Sequence, residues 1–227
     1  MVIQNEWKEI GKRSRASWSA VAKQLGLRYV RGSRRLAPTI AGRIDGFNVE
    51  VTCTDDRAGS TTPKTLFKVL YDPIGDPIRI GRATVLTKVG VWRQLIQVAD
   101  LEIGDAAFDR LALIDAADVE SARAFLTEQR RKVISDVLES KSLRDVIVSE
   151  AATAFHTRRV ETSVQRLTGN ILGMVELAKI LTAEQVVDGQ LALSENLEPM
   201  VPLASYFESG GTSDIQDSPQ PDKNLAA

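Results

Sequence analysis

Thr39-Ile40-Ala41-Gly42-Arg43-Ile44-Asp45-Gly46-Phe47-Asn48-Val49-Glu50-Val51-Thr52-Cys53 decides the fold class. Two strand-like runs meet across Asp45-Gly46. That dipeptide favours a type I′ turn, in which both central residues take positive φ, so the stretch predicts a β-hairpin. Phe47, Val49, Val51 and Cys53 alternate with Asn48, Glu50 and Thr52. A strand with that alternation buries one face and wets the other. Cys53 is therefore expected in the core.

Working outward, Arg28–Val30 is a short strand candidate before the hairpin. Thr65–Tyr71 is a strong one after it, and Ile78–Ile80 another. The short connections favour an antiparallel meander over parallel crossovers. Upstream, Trp18, Val21, Ala22 and Leu25 recur at helical spacing in a helix starting near Glu6 or Ser14. Gly26 follows the last of them and suits the left-handed position that closes a helix. Downstream, Thr87–Val98 is ambiguous. Leu111–Ile114 reads as a strand, and Val119–Leu138 as helix broken near Thr127, which can cap a second segment. Leu143–Val148 and Ala152–Thr157 form a second hairpin candidate around Glu150. Thr162 is the expected cap of a long helix to Leu181, with Val164, Leu167, Ile171, Val175, Ala178 and Leu181 on or near one face. This order predicts an α+β fold with helices packed on one side of antiparallel sheet. Residues 1–208 are expected to form one α+β domain, with two subdomains (about 1–100 and 101–208) as the alternative. Gly210-Gly211, Pro219, Pro221 and scattered Asp and Ser make 209–227 an expected disordered tail.

Composition excludes several chemistries. The 227 residues are 43% hydrophobic and 26% charged, with a formal net charge of −1. Cys53 is the single cysteine, which rules out an intramolecular disulfide and a CxxC zinc site. His156 is the single histidine, so no two-histidine metal site forms within one chain. Alternation puts Phe155 in the core and His156 toward solvent. No GxSxG, GxGxxG or GxxxxGK[ST] occurs, which removes the familiar nucleophile elbow and phosphate loops. No apolar run approaches the ~18 residues of a membrane span. Met1–Lys8 lacks the apolar region of a secretory signal. A soluble cytoplasmic protein is the default expectation.

Two clusters remain as site candidates. Glu102, Asp105 and Asp109 are the densest carboxylates. They read as a Mg²⁺ or Ca²⁺ site or an acid/base pair, or as a cap formed by Asp105 with Phe108 anchoring the turn. Lacking EF-hand spacing, the cluster favours the cap. The second cluster is basic. Arg28, Arg31, Arg34 and Arg35 surround Tyr29, with Lys12, Arg13 and Arg15 upstream. Such side chains contact phosphates, and Tyr29 can stack a base, so nucleic acid or anionic lipid is a candidate partner. The acidic tail is an internal competitor. A sequence pI of about 6.0 favours a solvated surface instead.

Ile103-Gly104-Asp105-Ala106-Ala107-Phe108-Asp109, with Asp45-Gly46-Phe47 upstream and Leu126-Thr127 downstream, resembles a pattern in uncharacterised bacterial proteins. These join a sheet to a G-D-x-x-F-D turn, a strand and a helix ending in Leu-Thr. The resemblance spans about residues 15–140 and implies a fold unit without an activity. The functional expectation is a non-enzymatic protein-interaction domain without cofactor, acting on a protein partner or a second copy. The alternatives are anion binding by the basic segment, and a small-ligand carrier or enzyme with a cavity between sheet and helices.

Overall fold

Asp45 (φ 50°) and Gly46 (φ 90°) both take positive φ, as a type I′ turn requires. They join β2 (Thr39–Ile44) to β3 (Phe47–Thr54), with Ile44 opposite Phe47. The computed structural model describes residues 3–33, 36–54, 63–83, 101–183 and 203–208. The expected helix near 87–98, most of the loop before Pro63 and the expected tail 209–227 lie outside them.

The chain order begins with α1 (Ile3–Gln24), β1 (Arg28–Val30), β2, β3, β4 (Lys64–Leu70) and β5 (Ile78–Arg82). It continues with α2 (Ala106–Leu111), β6 (Ala112–Ala116), α3 (Val119–Phe125), α4 (Glu128–Glu139), β7 (Leu143–Ser149) and β8 (Ala152–Thr157). Then come α5 (Val164–Thr182) and α6 (Leu203–Glu208). The fold class is α+β.

All eight strands form one antiparallel sheet in the order β1-β2-β3-β4-β8-β7-β5-β6. The meander expected from the short connections ends at β4. Hairpin β7–β8 inserts between β4 and β5, so Phe67 pairs with Phe155 and Ile80 with Val148. The reason is a long-range match of apolar faces. The row Gly42–Val49–Val69–Thr153–Val148–Ile80–Ile114 runs across seven strands on one face. Apart from Gly42, its members are buried. The helices pack on this face. They bury Trp18 and Val21 from α1, Phe108 from α2, Phe125 from α3, Ile134 and Val137 from α4, and Leu167, Ile171 and Leu181 from α5 in one continuous core. Cys53 lies in that core, and burial pushes its thiol up to about 12. Leu27 folds over Gly42, where any side chain would make it shift. A Cβ there would sit 2.8 Å from the Leu27 side chain.

Helix ends follow local chemistry. Gly26 (φ 67°) closes α1, and Leu27 N–H donates to the Ala22 carbonyl at 2.7 Å, the long bond of a Schellman end. Thr127 caps α4. The cap of α5 is Ser163, one residue later than the expected Thr162. The Glu161 carboxylate shifts it by accepting N–H bonds from both Thr162 and Ser163. Val164, expected on the core face, is exposed in the first turn.

One buried knot ties distant segments together. The Trp18 indole N–H donates to the Glu161 carbonyl at 2.8 Å, and Glu161 N–H donates to Thr65 Oγ1 at 2.8 Å. Trp18→Phe leaves that buried carbonyl without its donor. We expect it to lower unfolding stability by about 1–3 kcal/mol, read as a fall in the urea midpoint by circular dichroism.

Candidate functional site

A cleft of about 650 Å³ opens where the ends of β7 and β8 meet α5 and α6. Its walls come from the α4–β7 loop, the β8–α5 loop, the first two turns of α5, and Phe207 of α6.

The α4–β7 loop is held from the sheet. The Arg82 guanidinium donates to the Ser140 carbonyl at 2.7 Å and the Leu143 carbonyl at 3.1 Å. Burial, and then the charge of Arg144, lower the pKa of Arg82. Ser140 and Ser142 share a hydroxyl hydrogen bond of 2.9 Å, and Ser142 Oγ donates onward to the Phe207 carbonyl. Lys141 stands between these serines with its side chain exposed in the cleft.

The β8–α5 loop is held at both ends. Thr157 Oγ1 donates to the Arg159 carbonyl at 2.6 Å, and Glu161 is fixed by Trp18 and Thr65. Arg158 and Arg159 project from this turn into solvent at the cleft. The Glu161 residue is only 8% exposed. Its Oε1 accepts from Thr162 and Ser163 N–H, and its Oε2 accepts from Arg166 Nε at 2.9 Å.

Arg166 and Asn170 are four residues apart on α5 and therefore share a face. Asn170 is 5% exposed and lines the cleft. Among the described residues its amide has no hydrogen-bond partner. Phe207 packs edge-on to Phe155, ring centroids 5.8 Å apart. Gly173 allows that approach, since a Cβ there would sit 2.9 Å from the Phe207 ring and from Tyr206 Cβ.

The electrostatics are lopsided. Among the described residues lining the cleft, Lys141, Arg158, Arg159 and Arg166 face a single carboxylate, Glu161, whose oxygens are already engaged. Lys141, Arg158 and Arg159 have no ion pair among the described residues.

The basic segment expected to bind anions lies elsewhere. Arg28 and Arg31 are exposed at β1, the outer strand of the sheet, and Arg34 and Arg35 lie outside the described residues. Tyr29 is half-buried on β1, and burial raises its phenol pKa. Charged residues on a short edge strand also discourage edge-to-edge pairing. In the carboxylate cluster, Asp105 caps α2, accepting from Ala107 and Phe108 N–H, while Phe108 is buried. Arg131 pairs with Asp105 at 3.1 Å. Asp109 accepts from Ile103 and Gly104 N–H, and Glu102 is exposed. Among the described residues no three His, Cys, Asp or Glu side chains converge on a metal position. His156 is partly buried instead of solvent-facing, with Nδ1 3.7 Å from Asp145 Oδ2. A bulge between Arg144 and Ile147 turns Asp145 (φ 49°) toward it.

No family model matches the chain, and no curated protein matches it. A similar solved structure is the mycobacterial trehalose monomycolate transport factor A, TtfA. The alignment is 14% identical, covers 76% of this chain and 93% of that one, and has a TM-score of 0.47. That likeness says nothing of what this chain binds. Among the described residues no helix is long and apolar enough to cross a membrane.

The cap at Asp105 makes a pH prediction. The hydrogen bond from the Phe108 amide lowers its carboxyl pKa most; burial opposes it, and the Ala107 amide and Arg131 add to the lowering, so the net shift is downward. A folded-state pKa below the unfolded one stabilises above the unfolded value, and that gain is lost as pH falls through the folded value. Asp105→Asn is expected to flatten the acid limb of the stability curve below the unfolded carboxyl value of about 4. Thermal melts of both proteins across that range check it, and an unchanged limb would refute it.

Proposed function

We propose that this chain is a small-ligand-binding domain whose site is the cleft between the β7–β8 end of the sheet and helices α5 and α6. The observation that carries the reading is Asn170. The residue is 5% exposed, makes no side-chain hydrogen bond to a described residue, and keeps its amide open to the cleft, where a ligand can reach it. The amide faces a cleft of about 650 Å³, within the usual range for small-molecule sites, roughly 300–1,000 Å³. Apolar walls from Leu143, Val160 and Phe207 with a few fixed polar groups also suit such a site. Of the readings open to the sequence, this is the carrier with its cavity between sheet and helices.

The test separates binding from folding. A fragment library screened by protein-observed NMR should give hits that move the amides of residues 157–170. Asn170→Leu should still melt cooperatively while weakening those hits by about tenfold or more. Hits that never touch these amides would end the reading.

A second reading, a protein-interaction domain, has one observation behind it. Among the described residues no strand pairs with the outer edge of β1, and Val30 and Leu36 are exposed apolar side chains beside it. An unpaired edge can accept another chain. A native mass spectrum showing a multiple of the chain mass that reverts to monomer in Val30→Lys would favour it; a monomer in both would count against self-association.

A further inference from the structure

We infer that the ligand of the cleft is an organic phosphate, its phosphoryl group held by Lys141, Arg158 and Arg159 and its body placed against Asn170 and Phe207. This rests on the cleft being a ligand site and names the chemistry it selects.

The first step concerns charge. Arg166 is already neutralised by Glu161 at 2.9 Å. Glu161 cannot also serve the other cations, because its remaining oxygen accepts from the Thr162 and Ser163 amides. Lys141, Arg158 and Arg159 are therefore left without a counter-charge among the described residues. They come from two loops on different walls, each pinned by buried or short hydrogen bonds. The whole chain is slightly acidic, with net charge −1. A concentration of positive charge at a cleft is thus a local feature, and a cleft focuses such a field.

The second step concerns which anion. Three cations without partners suit a dianion better than a single carboxylate. Arg guanidinium groups form paired hydrogen bonds with phosphoryl oxygens, and Lys contributes a point charge. The exposed N–H groups of a helix start often hold phosphate. Here Ser163 caps the Arg166 N–H, and Glu161 takes the Thr162 and Ser163 N–H groups just before the helix. The charge that would attract the anion comes from the side chains of the two loops.

The third step concerns the rest of the molecule. Inorganic phosphate would leave most of about 650 Å³ unfilled. The inner wall offers Phe207, Leu143 and the Asn170 amide. The amide gives two donors and one acceptor oxygen to a polar edge of the ligand. A phosphomonoester with a polar, partly apolar body satisfies both ends of the cleft. A soluble ester and a phosphomonoester lipid headgroup share that chemistry.

The experiment is titration calorimetry of the full chain with inorganic phosphate, glucose 6-phosphate, AMP, glucose and adenosine. Phosphatidylcholine vesicles with and without phosphatidic acid form a parallel arm. At least one ester should bind tighter than inorganic phosphate and than its neutral parent, and should weaken as salt rises. Saturation only by phosphatidic acid vesicles would assign the headgroup source; saturation by glucose 6-phosphate or AMP would assign the soluble one. Arg158→Gln with Arg159→Gln should lower ester affinity at least about tenfold. Lys141→Gln, on the other loop, should lower it independently, which guards against a folding defect in the Arg pair. Asn170→Leu should weaken the ester but leave inorganic phosphate unchanged. Neutral parents binding as well as esters, or the Arg and Lys variants binding normally, would overturn the phosphate assignment. If NMR fragments still move residues 157–170 while no phosphate does, the ligand class fails and the cleft stands. If neither moves them, both fall.

Discussion

Glu161 is the residue on which fold and cleft both depend. Its main chain joins α1 to the sheet, through Trp18 at its carbonyl and Thr65 at its amide. Its side chain closes the start of α5 and pairs Arg166. A buried carboxylate is costly unless each oxygen has partners. Here three donors meet it, so the charge is held and the β8–α5 loop has little freedom. Arg158 and Arg159 occupy the preceding turn, which Thr157 fixes from the other side. The rigidity of the basic wall thus follows from the packing of the first helix, 143 residues away from Glu161 in sequence.

The same constraint explains why the cleft carries a charge that the composition hides. A net charge is a sum, and it says nothing about position. Ion pairs elsewhere are internally balanced: Lys179 with Asp45 and Glu176, Arg131 with Asp105, Arg123 with Glu120. At the cleft the one carboxylate among the described lining residues, Glu161, is turned inward to serve the helix start. Exposed charges are screened over about 10 Å at 0.1 M salt, so distant acidic residues do little to offset the local excess.

What was legible in the sequence was local. Asp45-Gly46, Gly26 and Thr127 each announce their geometry through backbone chemistry within a few residues. Strand alternation placed Cys53 and Phe155 in the core for the same reason. The insertion of β7–β8 between β4 and β5 was not legible, because it is decided by matching whole apolar faces across some eighty residues. The cap of α5 was misplaced by one residue because a side chain, Glu161, outcompetes Thr162 for the helix start. The cleft was hidden for a related reason. It draws on residues 141–143, 157–161, 166, 170 and 207, which lie on four segments. The Arg158-Arg159 pair and the Arg166/Asn170 spacing were the available signals. Neither has meaning until α6 brings Phe207 over them.

Two polar features without partners among the described residues meet at the cleft. An amide that could have been a methyl-rich side chain lacks a partner at Asn170, and three cations sit near one another without counter-charge. The amide stays open to the cleft and the cations are exposed, so a molecule that brings an anion to the cations and a polar edge to the amide replaces water at both. The cleft shares Leu143 and Phe207 with the core that runs on from Trp18 to Leu181, so the packing fixes its inner wall while its polar groups stay unpaired. Departures from local consistency of this kind are expected at functional sites. Here they coincide with the cleft that Glu161 holds open to solvent.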